Sequence, residues 1–133
     1  MKQALVLFAS PHAAGATRRL LDAFLSGLSS DGWAVAERDV CRAPAAPCTA
    51  CGYCRQTDGC ALHDLDDFDS SLRACDLLVI ASPVYNLTFP AQLKSVIDRF
   101  QRYFEARFAR GVRPAIAKPR RAVLLLTMGR HDP

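Results

Sequence analysis

Four cysteines crowd into thirteen residues: Cys48, Cys51, Cys54 and Cys60, spaced C-x2-C-x2-C-x5-C. Thiolates this close repel one another and oxidise easily, so the pattern asks for something that binds them. Tight two-residue gaps followed by a short return suit a chain wrapping a compact iron–sulfur cluster. Zinc also takes four Cys, usually from two C-x2-C pairs separated by a longer insert, which is not the spacing here. Free or redox-paired thiols are the third chemistry the motif allows.

Two other segments place polar groups where chemistry is common. Ser10-Pro-His-Ala-Ala-Gly-Ala-Thr17 ends an apolar run and opens a helical stripe. Its hydroxyls, with the free amides of a helix start, suit a phosphate. It has one Gly, not the three of a dinucleotide fingerprint, and no Lys of a Walker loop. The same residues also suit a plain strand-to-helix turn with Thr17 as the cap. Ala81-Ser-Pro-Val-Tyr-Asn86 ends another apolar run with a rigid Pro and an aromatic. Tyr85 could line a flat ring, with backbone groups of Val84 to Asn86 at its polar edge. A lone Tyr also suits the core.

The elements that must position these loops alternate along the chain. Ala4 to Ala9 is a continuous apolar run, as in a strand buried on both faces. Thr17, Leu20, Leu21, Phe24, Leu25 and Leu28 mark one helical stripe, ended near Asp31-Gly32. Trp33 to Val40 reads as a more exposed strand. Residues 41–62 form a cysteine-rich loop without a period. Leu65, Phe68, Leu72 and Cys75 give a short helix, whose opening acids Asp64, Asp66 and Asp67 suit a helix N-terminus. Leu77 to Ala81 is a second apolar strand, and 83–90 a loop. Leu93, Val96, Ile97, Phe100 and Phe104 predict one long helix from about Ala91 to Ala109. A basic, Pro-containing loop follows to Arg120, and Ala122 to Thr127 is a third apolar strand. This β-α-β-α-β-α-β order means a parallel sheet with helices on both faces. Ligands in such sheets bind beyond the strand carboxyl ends. The loops 10–17, 83–90 and 127–132, and the cysteine loop, all belong to that edge.

Composition sets the frame. The 133 residues, half of them hydrophobic, fit one domain over 1–133. A net charge of +4 permits anionic small molecules and does not argue for nucleic acid. Six Cys could suggest a secreted disulfide framework, but four of them share one loop and the rest reads as an ordinary apolar core. The apolar run after Met1-Lys2-Gln3 is too short for a signal peptide, and none approaches a membrane span. A cytoplasmic protein without membrane or nucleic-acid partners is expected.

Four motifs in order carry a resemblance: Ser10-Pro-x3-Gly-x-Thr17-x2-Leu-Leu, the Cys-x2-Cys-x2-Cys loop running into Asp66-Asp67, Ser82-Pro-Val-Tyr-Asn86, and Gln92-Leu-Lys-x3-Asp98-Arg99. Together, over nearly the whole chain, they resemble the flavodoxin-like NAD(P)H-dependent FMN reductases. The cysteine loop resembles the iron–sulfur flavoprotein branch. The resemblance implies a doubly wound sheet and FMN as cofactor. Ser10, His12, Gly15, Ala16 and Thr17 would hold its phosphate. Pro83, Val84, Tyr85 and Asn86 would contact the isoalloxazine, with Met128 and Gly129 beside it. His12 stands where the family often has Arg, and Ala16 where it often has Asn, so two phosphate donors are lost. Cys48, Cys51, Cys54 and Cys60 would be the ligands of a [4Fe–4S] cluster. NAD(P)H would be the reductant, and a quinone, a free flavin or the cluster the acceptor. An electron carrier relaying between partner proteins is the alternative. A shortened domain that keeps the fold and loses the activity is a third.

Such domains have five strands in the order 2-1-3-4-5 and a final helix. The sequence supplies strands for 2-1-3-4 only, so the fifth strand and last helix are missing. An open apolar edge seeks a partner, and a homo-oligomer is expected. The remaining features read as structural. Cys75 belongs to the core. Cys41 is a loop thiol, Trp33 packs at a strand start, and His63 is a surface residue. The basic residues Arg107, Arg110, Arg113, Lys118, Arg120 and Arg121 form a solvated loop.

Overall fold

The computed structural model of the protein describes residues 1–129. The elements run β1 (Gln3–Phe8), α1 (Ala16–Ser30), β2 (Ala34–Asp39), α2 (Tyr53–Gln56), α3 (Asp66–Ala74), β3 (Leu77–Pro83), α4 (Ala91–Asp98), α5 (Gln101–Phe108) and β4 (Arg121–Thr127). All strand pairs are parallel, as the alternation of elements predicts, and the sheet order is β2-β1-β3-β4, as the resemblance implies. In register, Val6 sits beside Glu37 on one side and Val79 on the other, and Val79 beside Val123.

The continuous apolar run of β1 has its reason in two cores. Ala4, Val6 and Phe8 face α1, packing with Leu21, Phe24, Leu25 and Leu28. Leu5, Leu7 and Ala9 face the other way, into a core with Phe68 and Leu72 of α3, Leu93 and Val96 of α4, and Tyr103 of α5. A strand buried on both faces cannot afford alternation. Cys75 is buried in this second core, as expected. β2 is an outer strand with mostly exposed residues. β4, the other outer strand, alternates: Val123 and Leu125 join the α1 core, while Leu124 and Leu126 are 51% and 44% exposed. No helix among the described residues is long and apolar enough to cross a membrane.

One predicted element is corrected. The helix expected from Ala91 to Ala109 is two helices, broken at Arg99 and Phe100. There the i−4 ladder tightens: the Phe100 N–H bonds Ile97 O at 3.0 Å and the Tyr103 N–H bonds Phe100 O at 2.9 Å. Such short 3₁₀ turns redirect a chain without ending its apolar stripe, so the period passes through the break unchanged. The break puts Arg99 under the cysteine loop.

Candidate functional site

Parallel strands bring every carboxyl end to one edge, and the first candidate site is built there. Ser10 and Thr17 are both buried. Thr17 does not cap its helix: Gly15 is the N-cap, and the Thr17 and Thr127 hydroxyls share a hydrogen bond of 2.7 Å across 110 residues. The Val84 N–H bonds Thr127 O at 2.8 Å. The loops after β1 and β3 and the end of β4 therefore meet. A Cβ on Gly15 would lie 3.2 Å from His12 Cβ, a close contact that would push His12 aside by a few tenths of an ångström. No side chain caps the start of α1, and its first turn carries no acid. Its amides are left for an anion, with no carboxylate to repel it. The His12 N–H is turned inward, onto Ser10 Oγ at 3.2 Å.

Sequence reasoning missed Arg42. Its guanidinium donates to Ser10 O at 2.8 Å and Pro11 O at 2.7 Å, and pairs with Asp39 at 3.0 Å. Asp39 also accepts the Cys41 and Arg42 amides. Arg42 thus buckles the phosphate-type loop to the end of β2. The Asp39-x2-Arg42 spacing just after a strand is the signal that could have found it. Arg18 does not replace the lost Arg at position 12. It is held by Glu37 and Asp22 and lies over the Phe8 ring at 3.8 Å.

The loop after β3 is a small hairpin. Tyr85 and Thr88 exchange backbone hydrogen bonds of 2.9 and 3.0 Å around Asn86 and Leu87, both with positive φ, +51° and +63°. That is the two-residue turn of a hairpin, and a branched Leu is strained in it. Tyr85 is 41% exposed and not a core residue. Met128 is exposed at the same edge, past β4. Of the predicted loop 127–132, residues beyond Gly129 lie outside the described residues.

The cysteine loop makes a separate site. Cys48, Cys51, Cys54 and Cys60 all line one cavity of about 650 Å³, closed below by the α4–α5 junction. None of the residues predicted to bind FMN lines it. All six cysteines are free. Gly52 and Gly59, at φ +80° and +105°, make turns that L side chains resist. Ala50 is strained at +54°, and strain of this kind clusters at functional sites. Burial pushes the Cys54 thiol up. The Leu62 N–H donates to Cys60 Sγ at 3.4 Å. Among the described residues no group of three Cys, His, Asp or Glu is gathered closely enough to hold a metal ion. The fold brings the four thiols to one cavity and not into one coordination shell.

Buried arginines brace this loop. Arg99 donates to Ala46 O at 2.9 Å and Leu62 O at 3.2 Å and pairs with Asp64 at 2.8 Å. Arg102 pairs with Asp69 at 2.7 Å, which also accepts the Tyr103 hydroxyl at 2.8 Å. Asp58, inside the loop, receives Arg73, Arg102 and Arg110. The hydrogen bond from Arg99 holds the Asp64 carboxyl below its usual range. Burial would raise Asp58, but Arg73 and Arg102 outweigh it and lower it. Three of the basic residues read as solvated are in fact structural. Arg110 donates to Cys54 O at 3.2 Å, Lys118 pairs with Asp76 at 2.9 Å, and Arg120 bonds Leu72 O. His63 is exposed beside Asp66, as expected.

Sheet order, layers and loop placement can now be set against known proteins. The family model described as "Flavodoxin-like fold" matches residues 2–132. The chain belongs to the flavodoxin-like family. Within it, the chain is 32% identical over 102 residues to an iron–sulfur flavoprotein of Archaeoglobus fulgidus, covering 76% of this chain and 46% of that one. It is 41% identical over 76 residues to an FMN-dependent NADH:quinone oxidoreductase of Shewanella baltica, covering 56% of this chain and 37% of that one. Among solved structures, an NAD(P)H:quinone oxidoreductase from Methanothermobacter marburgensis superposes with a TM-score of 0.79 at 26% identity, over 98% of this chain and 67% of that one. This flavodoxin-like chain spans less than half the length of the two curated relatives.

Proposed function

We propose that this chain is the flavin-binding unit of an FMN-dependent NAD(P)H oxidoreductase of the quinone- or flavin-reductase type. The observation that carries it is the meeting of three loops at one sheet edge, tied through Thr127 to both Thr17 and Val84. Ser10, His12, Gly15, Ala16 and Thr17 hold the FMN phosphate at the uncapped start of α1. Arg42 keeps that loop in place. Pro83, Val84, Tyr85 and Asn86 lie along the flavin ring, with Met128 and Gly129 beside it. The chemistry FMN supplies when bound is hydride acceptance from a reduced nicotinamide and electron delivery to a quinone or free flavin. No side chain of the site is assigned as acid or base. The exposed Tyr85 is placed to pack against a flat substrate.

The cysteine loop extends this reading to a [4Fe–4S] cluster on Cys48, Cys51, Cys54 and Cys60. The donor set has the right chemistry, and the Leu62 amide already points at one sulfur. Cys48 and Cys51 are exposed and would have to be drawn inward. Such a cluster supplies one-electron storage beside a two-electron cofactor. The four cysteines, together with relatives named iron–sulfur flavoproteins, motivate a second reading, in which the chain relays electrons between partner proteins without oxidising nicotinamide itself.

Anaerobic assay of the flavin-loaded chain with NADPH or NADH and a soluble quinone separates the two. The enzyme reading expects nicotinamide oxidation that depends on both flavin and quinone. A chain that retains FMN and oxidises neither nicotinamide supports the relay.

A further inference from the structure

We propose that Arg99 is the positioning residue of the cysteine site, holding Cys60 and the two ends of the loop in register for a metal or cluster. The inference rests on the reading of the four thiols as ligands. Arg99 sits at the break between α4 and α5, with a side chain only 2% exposed. A lone buried guanidinium is costly, and it is kept only where it is paired and bonded. Its partners come from both ends of the loop: Ala46, two residues before Cys48, and Leu62 and Asp64, just after Cys60. Asp64 closes the ring by accepting the Ala46 N–H at 2.8 Å. One side chain therefore ties the segment before Cys48 to the segment after Cys60.

The same residue also faces the sulfur side. Arg99 lines the cavity with all four cysteines. Its Nε has no hydrogen-bond partner among the described residues, although it is buried. An unsatisfied buried donor costs free energy that a new acceptor would recover. Leu62, whose carbonyl Arg99 holds, is the residue whose amide donates to Cys60 Sγ. Arg99 thus fixes the backbone next to Cys60 and has one further N–H without a partner among the described residues. Thiolates bound to metal carry the negative charge that such donors stabilise. Lys cannot replace it, since one ammonium cannot reach two carbonyls and a carboxylate in the fork geometry.

The test titrates the reduced, metal-free chain with Co²⁺ alone, following the thiolate-to-cobalt absorption. Wild type, Cys60→Ser, Arg99→Lys and Arg113→Lys, an exposed arginine outside the loop's bracing, are compared, with circular dichroism as the check on folding. Arg99→Lys is expected to bind Co²⁺ at least tenfold more weakly than wild type, and Arg113→Lys within about threefold of it. Arg99→Lys binding as tightly as wild type overturns the proposal and leaves the ligand reading intact. A wild type that binds no Co²⁺ overturns both. Because Arg99→Lys could fail to fold, a second measurement uses the unaltered chain. On Zn²⁺ loading, the Arg99 Nε–H resonance should shift and its exchange with solvent slow, while that of the exposed Arg113 stays. An unmoved Arg99 resonance in zinc-loaded protein overturns the proposal.

Discussion

Thr17 has little room to change. Its hydroxyl is buried against Thr127, at the point where the phosphate-type loop meets the end of β4. Thr17→Val keeps the shape and leaves Thr127 without that partner, a loss of about 1 kcal/mol. FMN affinity, read by fluorescence titration, is expected to fall about fivefold. Thr17→Glu sets a carboxylate against the phosphate and should abolish binding. Unchanged affinity in both variants would remove the phosphate from this loop. Tyr103 reports on the other site. Burial first, and then Asp69, push its hydroxyl up from its ordinary value to about 12. A group whose pKa is raised by folding contributes stability below its unfolded value and loses it as pH climbs through the folded one. Stability should therefore decline between about pH 10 and 12. In denaturant melts, Tyr103→Phe should lack that share of the decline. Residues of this kind were the least legible in the sequence. The four cysteines and Ser10, Thr17 and Tyr85 announce themselves by type and spacing. Arg42, Arg99 and Arg102 look like ordinary surface cations until the fold bonds them to partners 31 to 53 residues away and buries Arg99 and Arg102.

At the scale of elements, legibility followed burial. β1 and β3 are apolar because both faces are covered, so their runs are unbroken and easy to place. The α4–α5 break was illegible because Leu93, Val96, Ile97, Phe100 and Phe104 keep helical spacing through it. The break coincides with the seat of Arg99 against the cysteine loop, a tertiary contact the local sequence does not show. β4 carries the expectation of self-association. It has a neighbour on one side only among the described residues, and it exposes Leu124 and Leu126 on one face. Apolar edges of this kind pair with other chains unless charge blunts them. We propose a homo-oligomer that uses this strand. In light scattering at micromolar concentration, Leu124→Lys with Leu126→Lys should lower the mass to that of a monomer without loss of helix content. A wild-type chain that is already monomeric contradicts it.

The whole molecule is one parallel sheet with two separate stations. One lies at the carboxyl edge, assembled by Thr17, Thr127 and Val84. The other lies under the cysteine loop, braced by Arg99 and Arg102. The parallel sheet was legible in the alternation of strands and helices, and its order in the resemblance to flavodoxin-like proteins. That the cysteine cavity is lined by none of the residues expected to bind FMN was not, since sequence places both loops on the same edge. The measurement that bears most directly on the central claim is an anaerobic absorption titration of the FMN-loaded chain. On addition of NADPH or NADH the flavin band should bleach, and it should return in full when a soluble quinone is added. Flavin that passes through a desalting column unbound, or that stays bound and is bleached by neither nicotinamide, would contradict it.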